Sequence, residues 1–151
     1  MRFARFLHAG CGAALFGSQF MPGAWYAALS KPAWTPPNGL FGPAWTILYI
    51  GIAIAGWLIW RNTGGRLSLP LLVWGAQLVL NGLWSYLFFG LERPAVALID
   101  SIAMLIAIVL FIILAWPVSH IAALLFVPYA LWVGFATALN FAIWRVNTAA
   151  M

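Results

Sequence analysis

Apolar residues run almost unbroken through five stretches of this chain, roughly 3–21, 43–60, 68–89, 95–116 and 120–145. Each run stops at a polar or helix-breaking signal. Pro22-Gly23 closes the first, and Pro43 stands near the start of the second, where its missing N–H costs nothing. Arg61-Asn62-Thr63-Gly64-Gly65-Arg66 is a polar turn, Glu92-Arg93-Pro94 separates the third and fourth runs, and Pro117 stops the fourth. A helix needs about 20 mostly apolar residues to cross the hydrocarbon core of a bilayer. Barrel strands would alternate apolar and polar positions, whereas these runs are continuous. The pattern predicts an all-α polytopic membrane protein, a five-transmembrane-helix bundle forming one domain over residues 1–151, with one long loop over 22–42. The odd span count places the termini on opposite faces and argues against a simple inverted duplication. The start MRFARFLHAGC is read as the opening of the first span rather than a removed signal, because residues 12–20 continue apolar.

Composition strengthens the class: 66% of residues are hydrophobic and 6% charged, against about 25% charged in ordinary soluble domains. The protein is expected to be integral and multi-pass, with membrane lipid as a partner. The net charge of +5 comes from seven scattered basic residues, Arg2, Arg5, Lys31, Arg61, Arg66, Arg93 and Arg145. They form no stripe for nucleic acid and suit span ends facing anionic headgroups. Cys11 is alone, which rules out an intramolecular disulfide and a cysteine-cluster metal site. No metal spacing, phosphate loop or hydrolase triad occurs, so no metal site and no required cofactor are expected. Asp100 stands about one and a half turns into the fourth span. It is expected to bond a neighbouring helix, with proton relay as the alternative.

The helix faces carry the remaining signal. Gln77, Asn81, Trp84 and Phe88 share one stripe of the third span. Trp132, Ala136, Leu139 and Ile143 share one on the fifth, with Asn140 at its border, and Trp45, Tyr49 and Ile52 share one on the second. Bulk, aromatic rings and a few hydrogen-bonding groups suit a small-molecule pocket; the same groups suit interhelical bonding, and the faces alone leave both readings open. Small residues at four-residue spacing, Ala9-Ala13-Gly17, Gly51-Ala55 and Ala130-Gly134-Ala138, suit close helix packing or a dimer seam. Six of the ten tryptophans, Trp25, Trp57, Trp60, Trp74, Trp116 and Trp144, fall near span ends and are expected in interfacial belts; Trp132 lies nearer mid-span.

The stretch LSKPAWTPPNGLFGPAWTILY, with WYAALSKPAWTPP before it, QLVLNGLWSYLFFG on the third span and LFVPYALWVGFATALNFAIW on the fifth, resembles the translocator protein family (TspO, the peripheral benzodiazepine receptor type). The likeness covers most of the chain in order. It implies a five-helix bundle, often a homodimer, that binds porphyrins and other tetrapyrroles, sterols and drug-like ligands in a pocket beneath the long first loop. It implies transport, sensing or regulation as the role, with light- and oxygen-dependent porphyrin degradation as an enzymatic alternative and a purely structural bundle as a third reading. Trp45 matches the family's pocket tryptophan after the loop, Asn81 and Trp84 its third-span contacts, and Trp132, Ala136 and Leu139 its fifth-span contacts. Tyr49 shares the Trp45 face, and Trp34 is placed with Trp45 as the lining of a lid. Trp45 and Trp132 match the tryptophans implicated in degradation. Asn81 is expected to donate a hydrogen bond to a ligand. Proline fixes backbone torsions, so Pro32, Pro36, Pro37 and Pro43 suit a loop that holds one shape. Leu139-Asn140-Phe141, ahead of Arg145, stands where animal relatives carry a sterol motif with tyrosine. Val96 replaces a frequent tryptophan and Gln19 a basic residue. These departures favour porphyrin over sterol.

Overall fold

The structure is a computed structural model that describes residues 28–35 and 38–149. The predicted first span, 3–21, with its Ala9-Ala13-Gly17 row, lies outside these residues, so the five-helix expectation is answered for four spans. Among the described residues there are four helices and no strand: α1 (Asn38–Asn62), α2 (Leu69–Ser85), α3 (Pro94–Ala115) and α4 (His120–Ala149). All four, α2 together with the turn that continues it to Gly90, are long and apolar enough to cross a membrane. The starts of α2, α3 and α4 fall within one residue of the predicted ones.

α1 begins earlier than expected. The predicted loop ran to residue 42, but the helix is under way at Asn38 and Pro43 falls inside it. A proline there removes one helical hydrogen bond and crowds the carbonyl four residues back, so the cost falls on the first turns of the helix. The far end of α1 is closed by glycines. Gly65 N–H donates to the Trp60 carbonyl at 2.9 Å, and Gly64 and Gly65 take φ of 69° and 73°. That left-handed geometry is open to residues without a Cβ. Thr63 adds a cap, its hydroxyl donating to the Ile59 carbonyl at 2.7 Å.

The predicted third span is not one uniform helix. After Ser85 the chain widens into a π turn, Tyr86–Gly90, in which Leu91 N–H reaches back to the Tyr86 carbonyl at 2.8 Å. Arg93 N–H then bonds the Leu87 carbonyl at 2.9 Å, and Glu92, with φ of 57°, turns the chain toward Pro94. Periodicity at 3.6 residues cannot reveal such a turn, because it inserts an extra residue into one loop of the helix.

In lipid, burying a leucine against another helix yields little hydrophobic gain, so close approach and hydrogen bonds carry the association. α3 lies between α2 and α4, while α1 leans mainly on α4. Ile52, Ile59, Ile108, Phe111, Phe126 and Val133 are fully buried between them. Gly51 faces α4, where an added Cβ would make an ordinary contact, 3.8 Å from the Leu125 carbonyl oxygen. Gly134, by contrast, has no described neighbour within 4 Å of where a Cβ would stand. Ile99, Ile106 and Ile113 project outward from α3, as lipid-facing residues should.

Trp74 corrects the belt assignment. It is 6% exposed and its indole N–H donates to the Ile52 carbonyl of α1 at 2.8 Å, over the bare backbone of Gly56. Trp116 does behave as a belt residue, half-exposed and stacked on His120 at 4.1 Å.

Candidate functional site

Two features meet on the inner face of α4: a hydrogen-bonded network in mid-bundle and an aromatic cleft beside it. The network is directional. Tyr49 O–H of α1 donates to Asn81 Oδ1. Asn81 Nδ2 donates to the Tyr129 hydroxyl at 2.7 Å, and Tyr129 O–H donates to Gln77 Oε1 at 2.7 Å. Gln77 Nε2 ends the chain on the Trp74 carbonyl at 2.9 Å. Asn81, Tyr129 and Gln77 each accept one bond and donate the next, so the bonds polarise one another. Tyr129, Gln77 and Asn81 are all buried, and the Tyr129 hydroxyl also lies 3.6 Å from Met104 Sδ of α3. The stripe of Gln77 and Asn81 on α2 therefore meets α1 and α4. The network uses Asn81 Oδ1 and one of the two Nδ2 hydrogens, so the second N–H is the donor a ligand would take.

The cleft lies one to four turns further along α4. Its walls are Trp84, Phe88 and Phe89 from the end of α2 and its π turn, and Trp132, Phe135, Ala136, Leu139, Asn140 and Ile143 from α4. It is narrow and partly open to the surface: the free volume between its walls is about 20 Å³, room for a water-sized molecule, so a larger ligand enters only if the aromatic side chains move apart. Trp84 and Phe88 stack with centroids 5.1 Å apart and planes 17° apart, and Phe89 meets Trp84 edge-on at 5.8 Å. Trp84 is fixed by its own N–H, which donates to Asn140 Oδ1 at 3.1 Å, while Asn140 Nδ2 donates to the Pro94 carbonyl at 2.8 Å. With the Asn140 amide thus engaged, the walls offer flat, apolar surface. Among the described residues no group of His, Cys, Asp or Glu is arranged to hold a metal ion.

Four sequence-predicted residues, Trp84, Trp132, Ala136 and Leu139, line this cleft. Trp34 is placed at its edge, against Phe135 at 5.5 Å. Trp45 lies behind the cleft, 6.2 Å edge-on from Trp132 and 5.6 Å from Tyr49. Tyr49 and Asn81 belong to the network instead. Sequence reasoning placed Phe88, Ile143 and Asn140 on or beside the right stripes without naming them as site residues. It missed Phe135, which an i, i+3 search from Trp132 would have found, and Phe89, which only the π turn brings inward. It also missed Tyr129, the hub of the network.

Asp100 is 6% exposed, yet among the described residues neither carboxyl oxygen has a hydrogen-bond partner, so the expected bond to a neighbouring helix is made to none of α1, α2 and α4. An unpaired buried polar group costs about 1–3 kcal/mol. Asp100→Val should therefore raise thermal stability in detergent by an amount of that order. A loss of the same size would show that the carboxyl holds a partner in the membrane.

Comparison with known proteins follows the same outline. The family model described as TspO/MBR family matches residues 4–145. The chain is 49% identical over 123 residues to the "Tryptophan-rich protein TspO" of Archaeoglobus fulgidus, covering 82% of this chain and 80% of that one. It is 40% identical over 149 residues to "Protein CrtK" of Rhodobacter capsulatus, covering 96% and 92%. It is 37% identical over 137 residues to the human "Translocator protein", covering 87% and 81%.

Proposed function

We propose that this chain, which belongs to the TspO/MBR family, binds tetrapyrroles of the protoporphyrin or haem type in the cleft between the end of α2 and α4, for transport, sensing or regulation. It is a multi-pass integral membrane protein, as its family and its four apolar helices require. The observation that carries the ligand reading is the shape and chemistry of the cleft: the near-parallel Trp84–Phe88 pair on one wall and Trp132 with Ala136 on the other. A flat, largely apolar ring system suits these walls once they part, because ring faces attract one another in offset or edge-on arrangements. Ala136 leaves space where a larger side chain would block a planar ligand. Sterol ranks behind tetrapyrrole, since the Asn140 carboxamide is engaged by Trp84 and Pro94 and the residue after it is Phe141 rather than a tyrosine. A second copy of the chain is a further proposed partner.

The enzymatic reading, porphyrin degradation driven by light and oxygen, is favoured by one contact: Trp45 and Trp132 stand edge-on at 6.2 Å. Two neighbouring indoles can pass an electron toward an excited ring without any acid, base or metal. Trp132→Phe keeps an aromatic wall but lowers the ease of oxidation and removes the N–H. Saturable quenching of tryptophan fluorescence by protoporphyrin should persist with modestly weaker affinity, while light-dependent bleaching falls strongly. Trp116→Phe, at the half-exposed end of α3, should change neither. Equal effects from the two substitutions would remove Trp132 from the site, and absence of saturable quenching in the unsubstituted protein would remove the tetrapyrrole reading itself.

A further inference from the structure

The described part of the first loop, residues 28–35, is not simply draped over the bundle. It is held against the bundle at three points. Leu29 packs against the cluster of Phe88, Ala97, Leu139 and Ile143, two of which also form cleft wall on α4. Ser30 meets Asn147 near the end of α4. Trp34 rests edge-on against Phe135, three turns back along α4 and itself part of the cleft wall. Between these points a tight turn sets the direction: Thr35 N–H and its hydroxyl both donate to the Pro32 carbonyl, at 3.1 and 2.7 Å. The strap therefore lies along the helix that supplies most of the cleft, with an indole at its tip.

The Ser30–Asn147 contact has a form that chance proximity seldom produces. One carboxamide satisfies both backbone groups of one residue. Ser30 N–H donates to Asn147 Oδ1 at 3.2 Å, and Asn147 Nδ2 donates to the Ser30 carbonyl at 3.0 Å. The same Nδ2 also donates to the Ile143 carbonyl one turn earlier at 2.8 Å, which orients the amide toward the loop. Only asparagine combines this reach with an adjacent donor and acceptor: aspartate lacks the donor, and glutamine is one methylene longer. Trp34 itself remains 48% exposed, so the tip of the strap rests lightly on Phe135 and depends on the clasp at its base.

We propose that Asn147 is a positioning residue that clasps the strap onto α4 and holds Trp34 over the cleft, so that a flat aromatic ligand passes in or out only when the Ser30–Asn147 pair opens. The ligand half of this inference rests on the cleft being the binding site; the clasp itself does not. The test uses the full-length protein in detergent with its single cysteine replaced by serine and Ala136→Cys placed on the cleft wall as a reporter. The first measurement is the rate of labelling by N-ethylmaleimide without ligand. Asn147→Leu removes both hydrogen bonds and should speed labelling about tenfold. Asn147→Asp keeps the acceptor for Ser30 N–H and should fall between. Trp34→Ala should also speed labelling, and adding Asn147→Leu to it should give no further increase, because the clasp acts through Trp34.

An unchanged labelling rate in Asn147→Leu overturns the proposal, as does an equal increase in the Trp34→Ala background, which would assign Asn147 to general support of the helix end. The second measurement is dissociation of protoporphyrin followed by fluorescence, in protein that keeps Ala136, and it should accelerate in step with the labelling. If labelling behaves as expected but the unsubstituted protein takes up no protoporphyrin, the clasp stands and the tetrapyrrole reading falls.

Discussion

Tyr129→Phe should be the most destabilising of the conservative aromatic substitutions in this bundle, by about 2–4 kcal/mol. The hydroxyl is the hub of the network: it accepts from Asn81 Nδ2 and donates to Gln77 Oε1, each at 2.7 Å. Removing it strands two carboxamide groups in a site where Gln77 is fully buried and Asn81 is 3% exposed. Each unpaired group costs about 1–3 kcal/mol, more than the net value of the bond it lost. Tyr49→Phe removes only the single bond at the chain's outer end and should cost about 1 kcal/mol. Thermal unfolding of the purified variants in detergent reads both. The hub also fixes the turn of α4 that precedes Trp132, so Tyr129→Phe should weaken protoporphyrin binding as well. A midpoint shift no larger than that of Tyr49→Phe would show that the carboxamides find other partners and that packing alone holds α4.

The second large effect is expected at Gly56. A Cβ added there would lie 2.5 to 2.8 Å from three atoms of the Trp74 indole. That ring has little freedom to retreat: Trp74 is buried, and its N–H is held by the Ile52 carbonyl at 2.8 Å. Gly56→Ala must therefore push α1 and α2 apart or break the Trp74 bond. Overpacking of this kind costs about 1–3 kcal/mol, and the rigid, hydrogen-bonded neighbour places this case at the upper end. Pairing Gly56→Ala with Trp74→Leu should recover part of the loss relative to the sum of the two single changes. If Gly56→Ala alone folds with unchanged stability, the close approach of α1 to Trp74 is not what joins these helices.

These two sites show how unevenly the chain's character is written along it. Gly56 carries no signal in the sequence; it is one of several glycines in apolar helix and belongs to none of the regularly spaced rows. Trp74 reads as a belt residue because it lies one turn inside its helix. Only the approach of α1 makes it core. Asn81 and Trp84 lie on one stripe and look equivalent as ligand contacts, yet Asn81 is engaged by two tyrosines while Trp84 forms the cleft wall. A helical period says which residues share a face. It does not say which neighbour that face meets.

What the sequence determined by itself is the class, the boundaries of the described helices to within a few residues, and the family. The physical reason is that lipid offers no hydrogen bonds, so every backbone group must be satisfied within the span. Length and hydropathy then leave little choice, and Pro94 and Gly64-Gly65 mark the ends. The aromatic stripes on α2 and α4 were equally legible, because they depend only on the period of the helix. The tertiary structure alone decided the Tyr129 hub, the π turn that brings Phe89 inward, the burial of Asp100 and the clasp between Ser30 and Asn147. Each of these depends on the rotation of one helix against another, or on a pair separated by dozens of residues, 117 in the case of the clasp. No local pattern encodes such a distance; it follows from how the packed helices bring remote donors and acceptors to within 3 Å or so of one another.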